Sequence, residues 1–413
     1  MVLSATRRGG FAVACVIGMG GCASGALAQS TVAPAVEEAN DLRNRSEGVT
    51  LGPVKVVPSA DFHLDYDSNV YAEPSSASSD VTYGFSPQIE ASYARQNLRF
   101  NTLASANVVR FGSLTRENYV TATIRSSAMW LMQAGTQLGG EAGFSRLAED
   151  RGAVESRLDQ TLGPRITNLL SGGLTYRRER GRLLVELAGR AEKFDNLAAV
   201  DSLRDFSVYG VTAKTGMRIA GATYLTATGF ASFRDFRLPA PGTLANRDSV
   251  TYGFRGGIDL TSNPFLQGRV GVGLFRFDAR SDTIPDHTGV SVDASLTYRP
   301  RRRTAIVLDA FRGDVATFRL GATARTDTSV GLTVQQVARH NLFGSLGAFW
   351  RETRYQGDTR QFRTSGGRVA IEYLVNRSIA VIGTATYTQR RSDDPFSRFE
   401  RFRAGITLRL TPR

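Results

Sequence analysis

The sequence of 413 residues lacks the features that define several common classes of protein. Its only two cysteines are Cys15 and Cys22, so the rest of the chain has no thiol and cannot be a disulfide scaffold. The three histidines, His63, His287 and His340, are far apart and belong to no recognisable metal or catalytic motif. Beyond residue 28, no run of about 18 apolar residues is present, which excludes a transmembrane helix there.

Lysine is also scarce, because only Lys55, Lys193 and Lys214 occur among the 51 basic residues. All the others are arginine, and the formal net charge is +13. One interpretation is a base-composition bias of the gene. The other is functional, since arginine binds phosphate and carboxylate groups through two parallel hydrogen bonds, on lipid headgroups outside the protein or on anionic solute inside it.

Residues 1–28 have the pattern of a secretory signal peptide. Arg7 and Arg8 form its basic part, an apolar run follows, and Ala26-Leu27-Ala28 is a small-residue cleavage site. Cleavage there removes both cysteines and the two arginine charges, which leaves a net charge of +11. A lipoprotein signal ending at Cys22 is the alternative, but the residues before this cysteine fit such a signal poorly.

Residues 29–56 are polar, with one short helical pattern at 36–43, and are predicted to form a periplasmic lead or plug. A strict period of two begins after them, which predicts a β-strand with two unlike faces. One face of this strand is apolar and the other polar: Ala60, Phe62, Leu64, Tyr66 and Val70 against Asp61, His63, Asp65, Asp67 and Asn69. Since so polar a face cannot be a core, the apolar face is expected to meet lipid and the polar face a wet lumen.

Eight tight turns recur about 37 to 48 residues apart, and each interval fits one hairpin of two long strands. They lie near Arg95, Gln133, Gly181, Gly221, Asn263, Arg301, Arg339 and Asn376. The pattern predicts an all-β fold, a transmembrane antiparallel up-and-down β-barrel of about 18 strands (16 to 20) over residues 57–413. In hydrocarbon every backbone amide needs an internal partner, so the last strand must pair with the first. The longer loops, at 72–81, 149–165, 238–247 and 316–325, are expected to face the outside.

Aromatic residues near strand ends are predicted to mark two girdles at the membrane interfaces. The predicted members are Tyr71, Tyr83, Tyr93, Tyr119, Trp130, Tyr176, Tyr224, Tyr252, Tyr298, Trp350, Tyr373 and Tyr387.

Charged residues on the inward faces are the main functional clue. The predicted pore-lining residues are Asp61, His63, Asp65, Asp67, Glu90, Arg99, Arg125, Arg190, Lys214, Arg255, Asp259, Arg269, Arg368, Glu372, Arg403 and Arg409. A positive excess would favour anions, because a water-filled pore focuses the field of its lining charges. Complete neutralisation by cross-strand ion pairs is the alternative. Residues on one strand face are about 7 Å apart, so the Asp61–Asp67 ladder is read as hydrated wall and no metal or other cofactor is predicted.

Two segments resemble a known family. Residues 48–52 (Gly-Val-Thr-Leu-Gly), Pro58, residues 66–71 (Tyr-Asp-Ser-Asn-Val-Tyr), Ser79-Asp80 and Phe85-Ser86-Pro87 are similar to the opening signature of the beta-barrel porin 2 family. Residues 144–152, which contain Glu149-Asp150-Arg151-Gly152, resemble a corner that this family tends to carry. The resemblance implies a Gram-negative outer-membrane barrel, often encoded beside exopolysaccharide export genes, with no established catalytic residues. The ending Thr411-Pro412-Arg413 departs from the terminal aromatic common in many such barrels.

The leading hypothesis is a porin-like barrel in the Gram-negative outer membrane that passes polar solute or exopolysaccharide and is not an enzyme. A non-conducting structural or docking barrel, closed by inward side chains and by residues 149–165, is the alternative. An outer-membrane hydrolase is a third option. The expected partners are membrane lipid and lipopolysaccharide, and polysaccharide or its export components as a further option, with no nucleic acid and an open oligomeric state.

Overall fold

A computed structural model describes residues 48–133, 135–157, 159–239, 246–261, 265–282, 285–319, 322 and 324–412. The predicted signal peptide, the lipoprotein alternative, the 36–43 helical pattern and the turn at Asn263 lie outside these residues. Among the described residues, no helix has the length and apolar character needed to span a membrane.

The described chain is almost entirely β-strand. The strands are β1 (Val49–Leu51), β2 (Val54–Asp67), β3 (Asp80–Arg95), β4 (Leu98–Phe111), β5 (Tyr119–Leu131), β6 (Thr136–Ala148), β7 (Ile166–Arg180), β8 (Leu183–Asn196), β9 (Phe206–Ala220), β10 (Thr223–Phe236), β11 (Ser249–Leu260), β12 (Leu266–Ala279), β13 (His287–Arg301), β14 (Thr304–Val315), β15 (Ala324–Arg339), β16 (Leu342–Gln356), β17 (Gln361–Leu374), β18 (Ile379–Ser392) and β19 (Phe399–Leu410). Three short 3-10 helices lie in the loops, at Thr115–Glu117, Ala199–Arg204 and Pro395–Ser397.

Strands β2 to β19 form a closed antiparallel barrel of 18 strands, as predicted. Each strand pairs with its neighbour in sequence, and the ring closes where β19 pairs with β2, from Arg403 opposite Asp67 to Leu410 opposite Ala60. Closure leaves no unpaired edge, which a lipid-exposed sheet requires. Tight turns join the strands at one end, and Gly181 supplies the positive φ, +60°, that the two-residue turn between β7 and β8 needs.

The first barrel strand differs from the prediction at both ends. It begins at Val54 instead of residue 57. The short strand β1 pairs with the first residues of β2, with Val49 opposite Val56, because β19 pairs with β2 only from Ala60 onwards. Strand β2 ends at Asp67 instead of residue 71. Asn69 makes a turn there: its backbone N–H donates to Asp67 Oδ1 (3.0 Å) and its side-chain amide donates to the carbonyl of Glu73 (2.8 Å). Local side-chain hydrogen bonds of this kind compete with strand pairing, which explains why the strict alternation stops.

The predicted period of two separates the faces of the wall. On β2, Phe62 and Leu64 are 46% and 49% exposed on the outer face, whereas His63 is 7% exposed on the inner face. The same alternation places Phe254 and Ile258 of β11 outward and buries Asp259. The outer face is thus a continuous apolar band, while the inner face carries nearly all the buried charge.

Three aromatic residues predicted for the girdles lie elsewhere. Tyr119 lines a cavity inside the barrel. Tyr224 also points inward and is 1% exposed, with its hydroxyl donating to Glu179 (3.1 Å). Tyr71 follows β2 in a loop, with the Arg151 guanidinium 5.6 Å from its ring centre. An aromatic ring at a strand end can serve either face, so position along the strand did not assign them.

Candidate functional site

The candidate site is the lumen of the barrel. Strand parity places all 16 predicted pore-lining residues on the inner face of the wall, where they alternate with the outward apolar residues. Whether they line a conducting pore stays a prediction, because an inward position is also compatible with a sealed barrel.

The Asp61–Asp67 ladder on β2 is held by arginines of β19. Arg409 donates to both carboxylate oxygens of Asp61, at 2.9 and 2.8 Å. Arg401 donates through Nε to both oxygens of Asp67, at 2.9 and 3.0 Å, and both side chains are less than a tenth exposed. The ladder therefore braces the seam that closes the barrel. Within the described residues no group of histidine, cysteine, aspartate or glutamate side chains could hold a metal ion.

The three histidines remain separate. His63 is packed against Gly84, where a Cβ atom would lie 1.6 Å from the imidazole Nε2, so only glycine fits opposite it. His287 is the first residue of β13, with its ring 5.5 Å from that of Phe275. His340 lies in the turn between β15 and β16. No histidine-based catalytic set is assembled by these positions.

Opposite charges also pair across other parts of the wall. Lys214 lies 3.0 Å from Asp259 and 3.7 Å from Glu186. Arg255 and Arg269 share Asp293, at 3.5 and 3.2 Å. These cross-strand pairs cancel much of the positive excess that the composition suggested.

Some predicted cations have no such partner. Arg190 pairs with Glu192 and Arg403 with Asp150 (3.0 Å), but Arg99, Arg125 and Arg368 make no hydrogen bond or ion pair with the described residues. Glu90 accepts a hydrogen bond from Asn101 (2.8 Å), and Glu372 is 6% exposed. Most charges of the wall are thus paired, while three arginines and Glu90 have no partner of opposite charge among the described residues.

Residues 149–157 and 159–165, which lie between β6 and β7, fold into the barrel instead of standing outside; we call them the lumen loop. Arg151 organises it and is 7% exposed. Its guanidinium donates to both carboxylate oxygens of Glu117, at 3.0 and 2.5 Å, and to the backbone carbonyls of Arg157, Asp159 and Leu162. All five N–H donors of this arginine are used, so a segment without secondary structure of its own is held in one conformation.

Salt bridges and hydrogen bonds fasten the lumen loop to β18 and β19. Asp150 accepts from Arg401 (2.7 Å) and Arg403 (3.0 Å) of β19. Arg390 of β18 donates to the carbonyls of Gly152 and Ala153. These partners come from residues about 240 to 250 positions away along the chain.

The middle of the lumen loop, at Glu155, reaches β15. Glu155 lies 3.4 Å from Arg325 and accepts hydrogen bonds from Thr317 (2.7 Å) and the backbone of Phe318 (2.9 Å). In the ring of 18 strands, β15 is nine places from β6 in either direction. The lumen loop therefore spans the full width of the lumen.

Asp150 is the acidic group on which the docking of the loop depends. Burial opposes its ionisation, but Arg401 and Arg403 together with the backbone N–H of Gly152 outweigh that penalty and lower the pKa of Asp150 to about 2. Glu149, at the base of the loop, differs: burial raises its pKa even though Arg165 and Arg204 stand nearby. Asp150 is therefore ionised, and the loop docked, at all ordinary pH values.

The two sides of the lumen loop are unlike. We call the inner face of β2–β6 and β15–β19 the polar side. It encloses a cavity of about 300 Å³ lined by charged groups such as Asp61, Glu372 and Arg368. We call the inner face of β8–β14 the aromatic side. Its cavity is only about 80 Å³, and phenylalanines such as Phe230 and Phe275 line it.

Stacked rings close the aromatic side near the long loops. Phe194 and Phe206 stack at 4.5 Å between ring centres, with only 3° between their planes. Phe236 and Phe318 extend the cluster at 5.3 and 5.4 Å from Phe206. Arg247 covers Phe236 from above, 4.2 Å from the ring centre. This cluster was not predicted. The inward path of the lumen loop differs from the expected outward position of residues 149–165 and agrees with the alternative in which these residues close the barrel.

The chain was compared with known proteins. The family model described as "Putative beta-barrel porin 2" matches residues 45–411. No curated protein matches. Among solved structures, OccK2 (OpdF) from Pseudomonas aeruginosa is similar at 11% identity with a TM-score of 0.46, covering 87% of this chain and 98% of that one. OccAB3 from Acinetobacter baumannii is similar at 12% identity and 0.44, covering 87% and 100%. The FrpB iron transporter from Neisseria meningitidis is similar at 9% identity and 0.46, covering 85% and 63%.

Proposed function

The chain belongs to the beta-barrel porin 2 family, and from this premise we propose that it is a constricted channel for small polar solutes in the Gram-negative outer membrane. The observation that carries the proposal is the lumen loop, which crosses the lumen from β6 to β15 yet leaves a cavity lined by charged groups on its polar side. A wall of water-compatible side chains beside a narrow constriction is the arrangement that a solute channel needs.

The charges of the polar side favour a weak preference for anions. Most of its carboxylates are matched by arginines, as Asp61 is by Arg409 and Asp67 by Arg401. Arg368 lines the larger cavity without such a partner among the described residues. In a narrow pore, one uncompensated cation raises the local concentration of anions. On this proposal, ion pairs neutralise most charges of the wall, and the remaining unpaired arginine gives the pore its weak preference for anions.

Exopolysaccharide makes a larger demand on the same lumen. A growing strand would need a continuous path past the docked loop, so the salt bridges of Asp150 and Glu155 would have to open first. The resemblance to a family linked with exopolysaccharide export supports this substrate, whereas the docked loop favours smaller solutes. We therefore place small polar solutes first.

Single-channel recording in planar bilayers tests the proposal. The wild-type protein should show small, discrete conductance steps. Asp150→Asn with Glu155→Gln removes both charged anchors of the lumen loop and should increase the step size at least about twofold, since the loop then leaves the constriction. Asp159→Asn is the matched control: it lies in the same loop, and among the described residues its carboxylate accepts hydrogen bonds from Thr161 alone.

A non-conducting structural or docking barrel is the second candidate, and the docked lumen loop itself favours it. On this hypothesis the wild type is silent while the doubly substituted protein conducts. Silence of both proteins, with each shown to be folded by its heat-dependent shift on a gel, would reject the channel altogether. Envelope integrity in a deletion strain would then be the informative measurement.

A further inference from the structure

We propose that the lipid-facing surface of β14–β18 carries a binding site for the phosphate groups of an anionic glycolipid in the outer leaflet. The proposal concerns the outside of the wall and does not depend on conduction through the lumen. It uses residues that the channel does not need, and it gives a functional reason for part of the arginine content.

The site is a row of polar residues that runs straight across five strands. Neighbouring members are direct register partners: Arg312 faces Thr328, Thr328 faces Glu352, Glu352 faces Arg363, and Arg363 faces Arg391. With strands about 4.8 Å apart, the row is about 19 Å long. We call it the outer polar row.

Parity places the outer polar row on the lipid side of the wall. Two residues before Glu352 on the same strand is Trp350, which is 38% exposed on the outer face. Tyr387 of β18, four residues before Arg391, is 44% exposed. The row therefore lies just beyond an aromatic girdle, at the depth of lipid headgroups.

The charge of the row is unbalanced. Its acidic residue, Glu352, is already bound by Arg363 (3.1 Å), by Arg354 of the same strand (2.9 Å) and by the side-chain amide of Gln361 (2.5 Å). Arg391 is exposed and makes no hydrogen bond or ion pair with the described residues. The row and the adjacent Arg354 thus hold four arginines and one carboxylate, which, among these arginines, only Arg354 and Arg363 contact. The nearby Glu400 is occupied by Gln389 (2.8 Å).

Two contacts in the row are unfavourable as they stand. Arg363 and Arg391 are direct cross-strand partners, and like charges so placed repel. Arg312 donates through one terminal nitrogen to Thr328 (2.9 Å), but its Nε is buried without a hydrogen-bond partner among the described residues. A doubly charged phosphate between the two arginines would turn the repulsion into a charge-assisted bridge, which guanidinium geometry suits.

The end of the barrel at which the outer polar row lies determines which leaflet supplies the bound lipid. The row lies at the end of the strands that carries the longer loops, such as the loop between β14 and β15, while the tight turns and the C-terminus lie at the other end. Long loops are the outward ones in barrels of this class. The lipid in contact with the row is then that of the outer leaflet, and a phosphorylated glycolipid matches an arginine row better than a zwitterionic headgroup does.

Binding of diphosphoryl lipid A to the detergent-solubilised barrel tests this inference. Arg363→Gln with Arg391→Gln should weaken the affinity at least about tenfold. Glu352→Gln should strengthen it, since the competing carboxylate is removed. Arg178→Gln is the matched control, because Arg178 lies on the outer face of β7 at the opposite, tight-turn end. This variant should bind lipid A with the affinity of the wild type.

Competition between lipid A and inorganic phosphate shows whether the site binds a lipid phosphate or any free phosphate. Millimolar inorganic phosphate should not displace lipid A, and lipid A stripped of both phosphates should bind no better to the wild type than to the double variant. Unchanged affinity in the double variant overturns the proposal, as does full displacement by inorganic phosphate, which would indicate a simple anion site. If the double variant folds poorly, Glu352→Gln still tests the proposal. An affinity of Glu352→Gln for lipid A that is equal to or below that of the wild type would overturn it.

Discussion

The polar side and the aromatic side of the lumen are built on the same kind of strand and yet are filled to different degrees. On the polar side, inward positions carry charges that pair across strands, as Asp61 does with Arg409, and a cavity of about 300 Å³ remains. On the aromatic side, charge pairs such as Lys214–Asp259 also occur, but rings such as Phe206 pack together and only about 80 Å³ remains. Charged side chains keep water, whereas stacked rings expel it. An inward position therefore fixes only the direction of a side chain; its chemistry decides whether that part of the lumen is open.

The largest expected effect comes from opening the aromatic side. Phe206→Ala removes the ring that contacts Phe194, Phe236 and Phe318, and should lower the free energy of unfolding by about 3–5 kcal/mol. The matched control on the polar side is Phe111→Ala, whose ring borders the larger cavity, is only partly buried and should cost about 1–2 kcal/mol. Urea titrations of the protein in lipid vesicles measure both. Equal losses would show that the two sides are packed alike.

A somewhat smaller effect is expected at the seam on the polar side. Arg401→Gln leaves Asp67 without its charged partner in a buried place and removes one anchor of Asp150, so about 3 kcal/mol should be lost. The side chains of the Arg409–Asp61 pair are 26% and 23% exposed. Because water screens this pair, Arg409→Gln should cost about 1 kcal/mol or less. The same urea titration compares them. A larger loss for Arg409→Gln would contradict the assignment of Arg401 as the central residue of the seam.

Acid should undock the lumen loop and so enlarge the polar side. The pKa of Asp150 is about 2 in the folded protein and near 3.8 when the carboxyl is unpaired. A lowered pKa stabilises the docked state fully above the higher value, and the stabilisation, about 2 kcal/mol, disappears as pH falls from about 4 to about 2. Single-channel conductance should therefore rise over that interval. Asp150→Asn, which cannot titrate, should remove this rise; if it persists there, another group controls the loop.

Much of the barrel followed from the sequence because its determinants are local. The period of two assigned Phe62 outward and Asp61 inward, and the recurrent turns gave the number of strands. The contacts of the lumen loop did not follow, although one alternative had residues 149–165 closing the barrel. Asp150 meets Arg401 across 251 residues, and the period of two carries no information about such a contact. The packing of the inward rings was missed for a related reason, because the period of two gives the direction of a side chain and not what lies opposite it.

The smallest expected effect distinguishes the two sides as routes for ions. Arg368→Gln removes an unpartnered cation from the polar side, so the preference for chloride over potassium, measured as a reversal potential in a salt gradient, should fall by less than about twofold. Arg190→Gln makes the same charge change on the aromatic side, where Arg190 already pairs with Glu192 beside the smaller cavity. Its reversal potential should equal that of the wild type if rings close that route. Equal shifts for the two variants would mean that ions pass on both sides of the lumen loop, and the division between an open and a sealed side would then fail.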